Sequence, residues 1–359
     1  MLKRIDFYII KKVLGTYFLS ILMIISIAII IDITEKMDNF YNENLSLNTI
    51  IMDYYIHFIP FYINLFSSLF AFIAVLFVTS KLAFNSEIIA MLAGGISFKR
   101  ILVPYFISAA IIALFTFYIG SYIIPRGNDV RLDFESRYVD HIAVESTLRN
   151  VQFKVNANEI AYMERFDLKG EKGYRFSLDK FEGKKLVSRI TATTIKHDSL
   201  HTWTMYDFMK RDFVGMREIL TTGDTLKREI EMTPKEFVVV KNHHERMTNP
   251  ELREYINSQS QRGRAGLNAY KLEYQKRFAM PFGAIILTLI GVSVASRKTR
   301  GGAGFHVLIG FALSVTYILC TLVSSSFTVK GGWNPIFAIW LPNIVYSGIG
   351  IWLYRIAPK

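Results

Sequence analysis

The sequence predicts a membrane protein with six transmembrane helices, arranged three and three, and an inserted all-β domain. Two observations carry this prediction. Long apolar runs lie at residues 13–34, 56–80, 101–124, 278–295, 305–327 and 333–354 of the 359-residue chain. A polar block with the alternating pattern of strands separates the third run from the fourth. We therefore divide the chain into residues 1–124, 125–270 and 271–359.

Each apolar run is long enough to cross a membrane as a helix. About 20 apolar residues at 1.5 Å per residue match a hydrocarbon core of about 30 Å. Helices are expected because lipid offers no partner for an open backbone. The first run is too long for a signal-peptide core, so we expect a retained anchor. Residues 1–12 mix apolar and basic side chains, which is typical of an interfacial helix or simply of a basic flank.

Basic residues in the short loops predict the orientation of the chain. They cluster at one side, as Lys3, Arg4, Lys11, Lys12, Lys81, Lys99, Arg100, Arg297, Lys298, Arg300, Arg355 and Lys359. Because cytoplasmic loops are enriched in Lys and Arg, we expect both termini to be cytoplasmic and the polar block to be extracytoplasmic. The net charge of +12 is then largely a consequence of topology, and no nucleic-acid partner is expected.

The loop at residues 81–100 predicts a short cytoplasmic helix near 85–95. Asn85 or Ser86 can cap it, and Glu87 then lies in its first turn, where the helix dipole favours an acid. Gly94 and Gly95 are expected to end it. Its apolar side must contact either the membrane surface or a protein partner.

The polar block predicts an antiparallel sandwich or a jelly-roll-like fold. Candidate strands lie at 151–155, 159–165, 174–181, 186–194, 202–206, 217–220 and 237–240. Turns are expected at Asn156-Ala-Asn, Glu182-Gly and Thr222-Gly-Asp. Many short strands without intervening helical periodicity are typical of such folds. Residues 249–275 lose the alternation, and we expect a helical connection to the fourth span there.

Basic residues also lie where the positive-inside bias does not predict them, at the extracytoplasmic end of the fourth span. They are Lys271, Lys276 and Arg277, and Arg126 and Arg131 beyond the third span can join them. One interpretation is an i,i+4 pair of Glu273 with Arg277, together with side chains that reach toward water. The other is a basic collar for anionic lipid head groups.

The sequence lacks the motifs of common catalytic and metal sites. It contains no G-x-x-x-x-G-K-[ST], no H-E-x-x-H and no pair of cysteines, since Cys320 is the only one. Ser324, Ser325 and Ser326 have no obvious base nearby. We therefore expect no catalytic residues, no metal and no cofactor.

Several motifs, in this order, resemble the LptF/LptG (YjgP/YjgQ) family of lipopolysaccharide-export permeases. They are Ser86-Glu-Ile-Ile-Ala-Met-Leu-Ala-Gly-Gly-Ile-Ser, Glu273-Tyr-Gln-Lys-Arg-Phe-Ala-Met-Pro-Phe followed by Leu289-Ile-Gly, and Trp340-Leu-Pro-Asn. The resemblance covers nearly the whole chain, and the C-terminal third looks slightly more like LptG.

The resemblance implies an inner-membrane permease subunit of an ABC transporter, not an enzyme. Its partners would be a homodimeric LptB-like ATPase, a paralogous permease, LptC- and LptA-like periplasmic proteins and lipopolysaccharide. The short helix predicted in the loop matches the family's coupling helix. This match implies that the residues contacting the ATPase are Ser86, Glu87, Ala90, Met91, Gly94 and Gly95. Lipid head groups would be bound by Lys36, Arg126, Lys271, Lys276 and Arg277. The central domain would be the family's periplasmic jelly roll.

One position departs from the family. Some members place a lysine at the outer end of span 1, where this chain has Asp32, with Lys36 one turn later. Either Lys36 substitutes for that lysine or the head-group chemistry differs. Asp32, Glu35, Lys36 and Asp38 can line a cavity mouth or form a solvated helix end. Two other classes also remain open, a non-transporting envelope scaffold or sensor and a lipid-modifying membrane enzyme.

Overall fold

The protein consists of two compact units. The computed structural model describes residues 3–139, 147–156, 158–168, 170–199, 201–215, 217–234, 242–261, 266–296 and 302–357. The helical unit comprises Met1–Val139, His244–Arg253 and Asn268–Lys359. The β unit comprises Asp140–His243 and Glu254–Leu267.

Within the described residues, six helices are long and apolar enough to cross a membrane, which confirms the predicted number and order of the spans. The helices are α1 (Arg4–Asn42), α2 (Leu47–Phe84), α3 (Glu87–Ala93), α4 (Phe98–Val139), α5 (His243–Arg246), α6 (Asn249–Gln261), α7 (Asn268–Ala295), α8 (Gly302–Gly331) and α9 (Pro335–Ile356). We call α1, α2, α4, α7, α8 and α9 spans 1 to 6.

The helical unit has two distinct ends. One end carries the loop between spans 2 and 3, and we call it the loop end. There, Ile9 of α1, Ile88 of α3 and Phe98 of α4 share one hydrophobic cluster. The Phe98 ring also stacks on Tyr354 of α9, with ring centroids 6.0 Å apart. The first turns of α1 and the last turn of α9 therefore lie beside the loop helix α3. The opposite end, where the chain leaves for the β unit and returns from it, we call the insert end.

Span 4 is the central helix of the unit, and spans 1 and 5 are peripheral. The most apolar window of span 4 is 61% buried, whereas those of spans 1 and 5 are 17% and 22% buried. Asn343 of span 6 joins three helices, because its Nδ2 donates to the Ala279 carbonyl (2.9 Å) and its Oδ1 accepts from the Tyr317 hydroxyl (2.7 Å). The asparagine of the Trp340-Leu-Pro-Asn motif is thus a packing residue.

The β unit contains one six-stranded antiparallel sheet in which each strand pairs with its neighbours along the chain. The strands are β1 (Thr147–Lys154), β2 (Glu159–Asp167), β3 (Lys172–Glu182), β4 (Lys185–Ser199), β5 (Thr202–Val214) and β6 (Arg217–Glu229). The all-β fold between spans 3 and 4 is therefore confirmed. The candidate strand at 237–240 lies outside the described residues.

This sheet curls on itself and encloses a core. Strands β2 and β6 are four positions apart, which in a flat sheet would separate them by about 19 Å. Instead, Arg228 of β6 donates to Glu159 of β2 at 2.6 Å, and the Trp203 and Phe166 rings lie 6.2 Å apart. The enclosed Trp203 is fully buried, and its indole N–H donates to the Met232 carbonyl at 3.0 Å. One meander thus forms the interior that the sequence predicted for a sandwich or jelly roll.

A crease crosses the sheet. Asn150, Arg175 and Asp207, on β1, β3 and β5, have left-handed backbones with φ of 52°, 50° and 50°. The pairing registers put the three residues in one line across the strands. Left-handed residues within strands interrupt the ladder and bend it.

Three sequence-based details differ from the structure. Residues 4–12 continue into span 1 as one helix and do not form a separate interfacial helix. The β-domain boundary placed at residue 125 falls inside α4, because the polar side chains of Asn128 and Arg131 are buried within the helical unit. The turn expected at Thr222-Gly-Asp is part of β6. A Cβ at Gly223 would lie 2.7 Å from the ring of Phe208 on β5, so this glycine makes room for that ring.

Candidate functional site

The loop helix α3 has special backbone geometry at both ends. Ser86 is the N-cap residue with φ of 60°, and its side chain makes no capping hydrogen bond. At the other end, the Gly95 N–H donates to Leu92 and the Ile96 N–H to Met91, which is a Schellman motif. Gly95 has φ of 81°, which glycine adopts without the steric cost of a Cβ. The chain therefore turns sharply on both sides of α3.

One face of α3 is packed and the other is exposed. Ile88 is buried in the loop-end cluster, with Met91 partly buried against it. Ile89 is 51% exposed, and Ala90 is exposed beside it. Exposed apolar side chains next to an acidic group form a surface suited to a protein partner.

Glu87 lies at the first turn of α3 and accepts two hydrogen bonds. The Tyr8 hydroxyl donates to its Oε2 at 3.1 Å, and Asn85 Nδ2 donates to its Oε1 at 3.3 Å. Nearby, Arg100 binds Asp6 through two parallel hydrogen bonds of 2.7 and 2.6 Å. Sequence analysis missed Asp6 and Tyr8. The sequence does carry a signal for Asp6, because it is an acidic residue in the first turn of α1, within an otherwise basic segment.

At the insert end, Lys36 is neutralised by two carboxylates. Its Nζ lies 2.9 Å from Asp32 and 3.7 Å from Glu135, and it also contacts the Tyr54 hydroxyl. Asp32 accepts further hydrogen bonds from Tyr54 (3.1 Å) and Tyr55 (3.0 Å). These groups form a packed polar cluster, not a fully solvated helix end.

Spans 2 and 3 depart from α-helical geometry in several segments, and those at Ile50–Tyr55 and Glu135–Val139 contain residues of this cluster. Ile50–Tyr55, Ile119–Ile123 and Glu135–Val139 are π-helical. Short π-helical segments inside helices occur frequently at functional sites.

Arg131 is buried beside Lys36, whereas Arg126 is exposed on the same helix. The Arg131 guanidinium donates to Glu135 at 3.1 Å and to Asn128 at 3.3 and 3.2 Å. It also lies 4.3 Å from the centre of the Phe61 ring. Arg131 is therefore held by the protein, and Arg126 faces outward.

Arg277 is also buried, and its hydrogen bonds are made within the helical unit. Its Nε donates to Glu273 at 3.0 Å, so the expected i,i+4 pair is present. Its Nη1 donates to the Met247 carbonyl at 2.7 Å and to Asn249 Oδ1 at 3.0 Å. This side chain fastens residues 244–249 to span 4.

Lys276 and Lys271 are partly exposed. The Lys276 Nζ lies 3.8 Å from Glu273, and the side chain borders two adjoining cavities whose other shared lining residues include Leu65, Met280 and Glu245. Burial, and then the charge of nearby Glu273, raises the pKa of the Glu245 carboxyl. The lining of these cavities thus combines ionisable side chains with apolar ones.

The structure therefore separates the five predicted head-group residues into two sets. Lys36 and Arg277 are held by carboxylates, whereas Arg126, Lys271 and Lys276 are more accessible to an outside anion. Within the described ranges, no three or more His, Cys, Asp or Glu side chains are grouped so that they could hold a metal ion.

Comparison with known proteins gives matches along almost the whole chain. The family model described as "Lipopolysaccharide export system permease LptF/LptG" matches residues 7–356. The chain is 22% identical over 358 residues to the "Lipopolysaccharide export system permease protein LptG" of Escherichia coli K12, covering 97% of both chains. It is 20% identical over 357 residues to the Haemophilus influenzae protein of the same name, covering 98% of both. The matched region includes both units.

Proposed function

Since the chain belongs to the LptF/LptG family of lipopolysaccharide export permeases, we propose that it extracts lipopolysaccharide from the inner membrane as one permease subunit of an ABC transporter. A separate ATPase drives the transport, and a periplasmic bridge receives the lipid. The observation that carries this proposal, beside the family match, is the exposed face of α3. The chain itself has no P-loop, so ATP hydrolysis requires another chain.

We propose that α3 is the docking element for an LptB-like ATPase homodimer. Ile89 and Ala90 offer apolar contacts, and the partly exposed Glu87 offers a charge to a basic partner residue. Ile88 and Met91 pack α3 onto residues of spans 2 and 3, and the turns at Ser86 and Gly94–Gly95 leave its other face exposed.

The proposed orientation puts the loop end in the cytoplasm and the β unit in the periplasm. The first turns of α1, the helix α3 and the end of α9 lie together, and the basic residues of these segments therefore share one end of the helical unit. That placement agrees with the preference of Lys and Arg for cytoplasmic loops.

The lipid requires an apolar site before it leaves the bilayer. Moving an acyl chain into water costs about 0.8 kcal/mol per CH₂, or roughly 10 kcal/mol for a chain of a dozen methylenes. Spans 1 and 5 expose most of their apolar side chains, which makes them suitable walls for a cavity shared with a paralogous permease. Closing such a cavity on ATP binding removes the apolar site, and the lipid moves on.

The head-group phosphates are proposed to meet the basic residues of the insert end: Lys36, Arg126, Lys271, Lys276 and Arg277. The structure supports different roles within this set. Arg126, Lys271 and Lys276 are accessible enough for direct contact. Lys36 is available only if the anion replaces Asp32 or Glu135, and Arg277 chiefly fastens residues 244–249 to span 4.

The curled sheet of the β unit supports a role as the first section of the bridge. Its interior is lined by apolar side chains of β1 to β5. LptC- and LptA-like periplasmic proteins are the proposed next carriers.

The test is mass spectrometry of the protein purified gently from its own membranes, with co-purifying proteins and lipids read together. We expect a P-loop ATPase, a related six-span chain and lipopolysaccharide. An intact sample that carries neither ATPase nor lipid would favour a non-transporting scaffold or sensor instead.

A further inference from the structure

The first turns of span 1 contact both ends of the segment that carries α3. Tyr8 donates to Glu87, which begins α3, at 3.1 Å. Asp6 accepts from Arg100, which lies in the first turn of span 3 directly after this segment, at 2.7 and 2.6 Å. The two contacts therefore bracket α3 and tie it to the same helix.

The Asp6–Arg100 contact joins a buried carboxylate to an arginine whose side chain is 32% exposed. Asp6 is 2% exposed, and its carboxylate also accepts the Lys3 backbone N–H at 2.6 Å. Two parallel hydrogen bonds from a guanidinium fix both the distance and the orientation of the partners. This geometry differs from that of an exposed ion pair, which holds its partners weakly.

The backbone around α3 leaves the helix dependent on such contacts. α3 has seven residues, with a left-handed residue before it (Ser86, φ 60°) and one after it (Gly95, φ 81°). Ile88 is its buried anchor. Ile88 shares its hydrophobic cluster with residues of spans 1, 2 and 3, and the polar contacts of Tyr8 and Asp6 add a connection specific to span 1.

Span 1 is suited to carry a displacement to the other end of the unit. α1 is one unbroken helix of 39 residues, and at 1.5 Å per residue Lys36 lies about 45 Å along it from Asp6. The apolar window of span 1 is only 17% buried, the smallest share among the six candidate spans of the described residues, and a single row of its side chains, including Tyr17, Ile21 and Ile25, packs on the rest of the unit. Its far end carries Asp32 and Lys36, the residues of the insert-end polar cluster.

We propose that Asp6 and Tyr8 are positioning residues that join α3 to span 1, so that a partner acting on α3 moves both together. The inference rests on the proposed function, because it takes the ATPase as that partner. Neither residue contacts the lipid; both act through Arg100 and Glu87.

The experiment measures ATP hydrolysed per lipopolysaccharide released, using the whole complex with its ATPase and partner permease in lipopolysaccharide-containing vesicles. For Asp6→Asn and Arg100→Gln, we expect this ratio to rise about fivefold or more, while ATPase binding is retained. Tyr8→Phe, which removes one hydroxyl, is expected to raise it about twofold. Lys99→Gln is the matched control, since Lys99 is exposed next to Arg100.

Rescue distinguishes positioning from folding. In the conservative variant Asp6→Glu, which keeps a carboxylate for both Arg100 and the Lys3 N–H, we expect the ratio to stay within about twofold of the unaltered complex. A purely structural role would lower the amount of complex and leave the ratio unchanged. If Asp6→Asn fails to assemble, Tyr8→Phe carries the test.

An unchanged ratio in Tyr8→Phe and in every assembled Asp6 or Arg100 variant, with the unaltered complex coupled, would overturn the inference. A ratio in assembled Asp6→Glu as high as in Asp6→Asn would also count against it. Absence of ATP-dependent release by the unaltered complex would instead contradict the proposed function, and the inference with it.

Discussion

Replacing Arg277 tests whether a buried basic residue at the membrane edge serves the fold or the lipid. In Arg277→Gln the hydrogen bonds to Glu273, Met247 and Asn249 are lost, and the Glu273 carboxylate loses its nearest cation. We expect the variant to be expressed but less stable, because this side chain joins residues 244–249 to span 4.

The magnitude follows from the number and type of these contacts. Breaking one side of a buried ion pair costs about 3–5 kcal/mol in soluble proteins. Hydrogen bonds within membranes average only about 0.6 kcal/mol, because the alternative states also find partners. Since Arg277 lies at the membrane edge, we expect a loss near 3 kcal/mol. At about 2–4 °C per kcal/mol, the Tm should fall by roughly 6–12 °C.

The assay is thermal unfolding in detergent, paired with photo-crosslinking to lipopolysaccharide. Lys276→Gln is the matched control. Lys276 is partly exposed, and its Nζ lies 3.8 Å from Glu273, farther than the 3.0 Å between Arg277 Nε and the same carboxylate. We expect that control to lose less than about 1 kcal/mol, and to crosslink less lipid. Adding Glu273→Gln to Arg277→Gln should recover part of the stability, because no buried charge then lacks a partner. Full stability of Arg277→Gln with lost crosslinking would refute the reasoning and assign Arg277 to the head group.

Three further outcomes are expected. Burial raises the pKa of Glu245 above its ordinary value of 4.5. Above pH 4.5 the folded protein therefore binds more protons than the unfolded chain, and its stability falls as the pH rises through this range. Glu245→Gln should remove that fall in a Tm-against-pH profile, and an identical profile would contradict the assignment. Trp203→Phe leaves the Met232 carbonyl unpaired in the β-unit core and should cost about 1–3 kcal/mol in urea unfolding, whereas an unchanged midpoint would show that the bond is dispensable. Asp32→Asn removes one of the two carboxylates that neutralise Lys36 and should increase lipopolysaccharide bound per protein, whereas an unchanged amount would exclude Lys36 from head-group contact.

Features encoded by local patterns could be predicted from the sequence. The six spans follow from run length, α3 from its acidic first turn and its two glycines, and most strands from alternation. The capping hydrogen bond that the sequence suggested for Ser86 is not made. The same local signals failed where one pattern fits two structures. Gly223 next to polar residues resembles a turn, yet it lies inside β6 because the Phe208 ring occupies the space of its missing side chain.

The contacts that define the candidate site could not be predicted in the same way. Asp6 and Arg100 are 94 residues apart, and no periodicity links them. The sequence did indicate the Glu273–Arg277 pair, because i,i+4 residues are neighbours on a helix. It did not indicate that Met247 and Asn249 complete the coordination of the same guanidinium, and thereby bury it.

The most direct test of the account is ATP-dependent release of lipopolysaccharide from vesicles that contain the complex, with Glu87→Arg as the variant. Glu87 is partly exposed at the first turn of α3, and charge reversal there alters the proposed docking surface without touching the core. We expect release that requires ATP, and a variant that keeps its Tm but no longer couples hydrolysis to release. Equal coupled release by the variant and the unaltered complex would contradict the assignment of α3 as the element through which the ATPase acts.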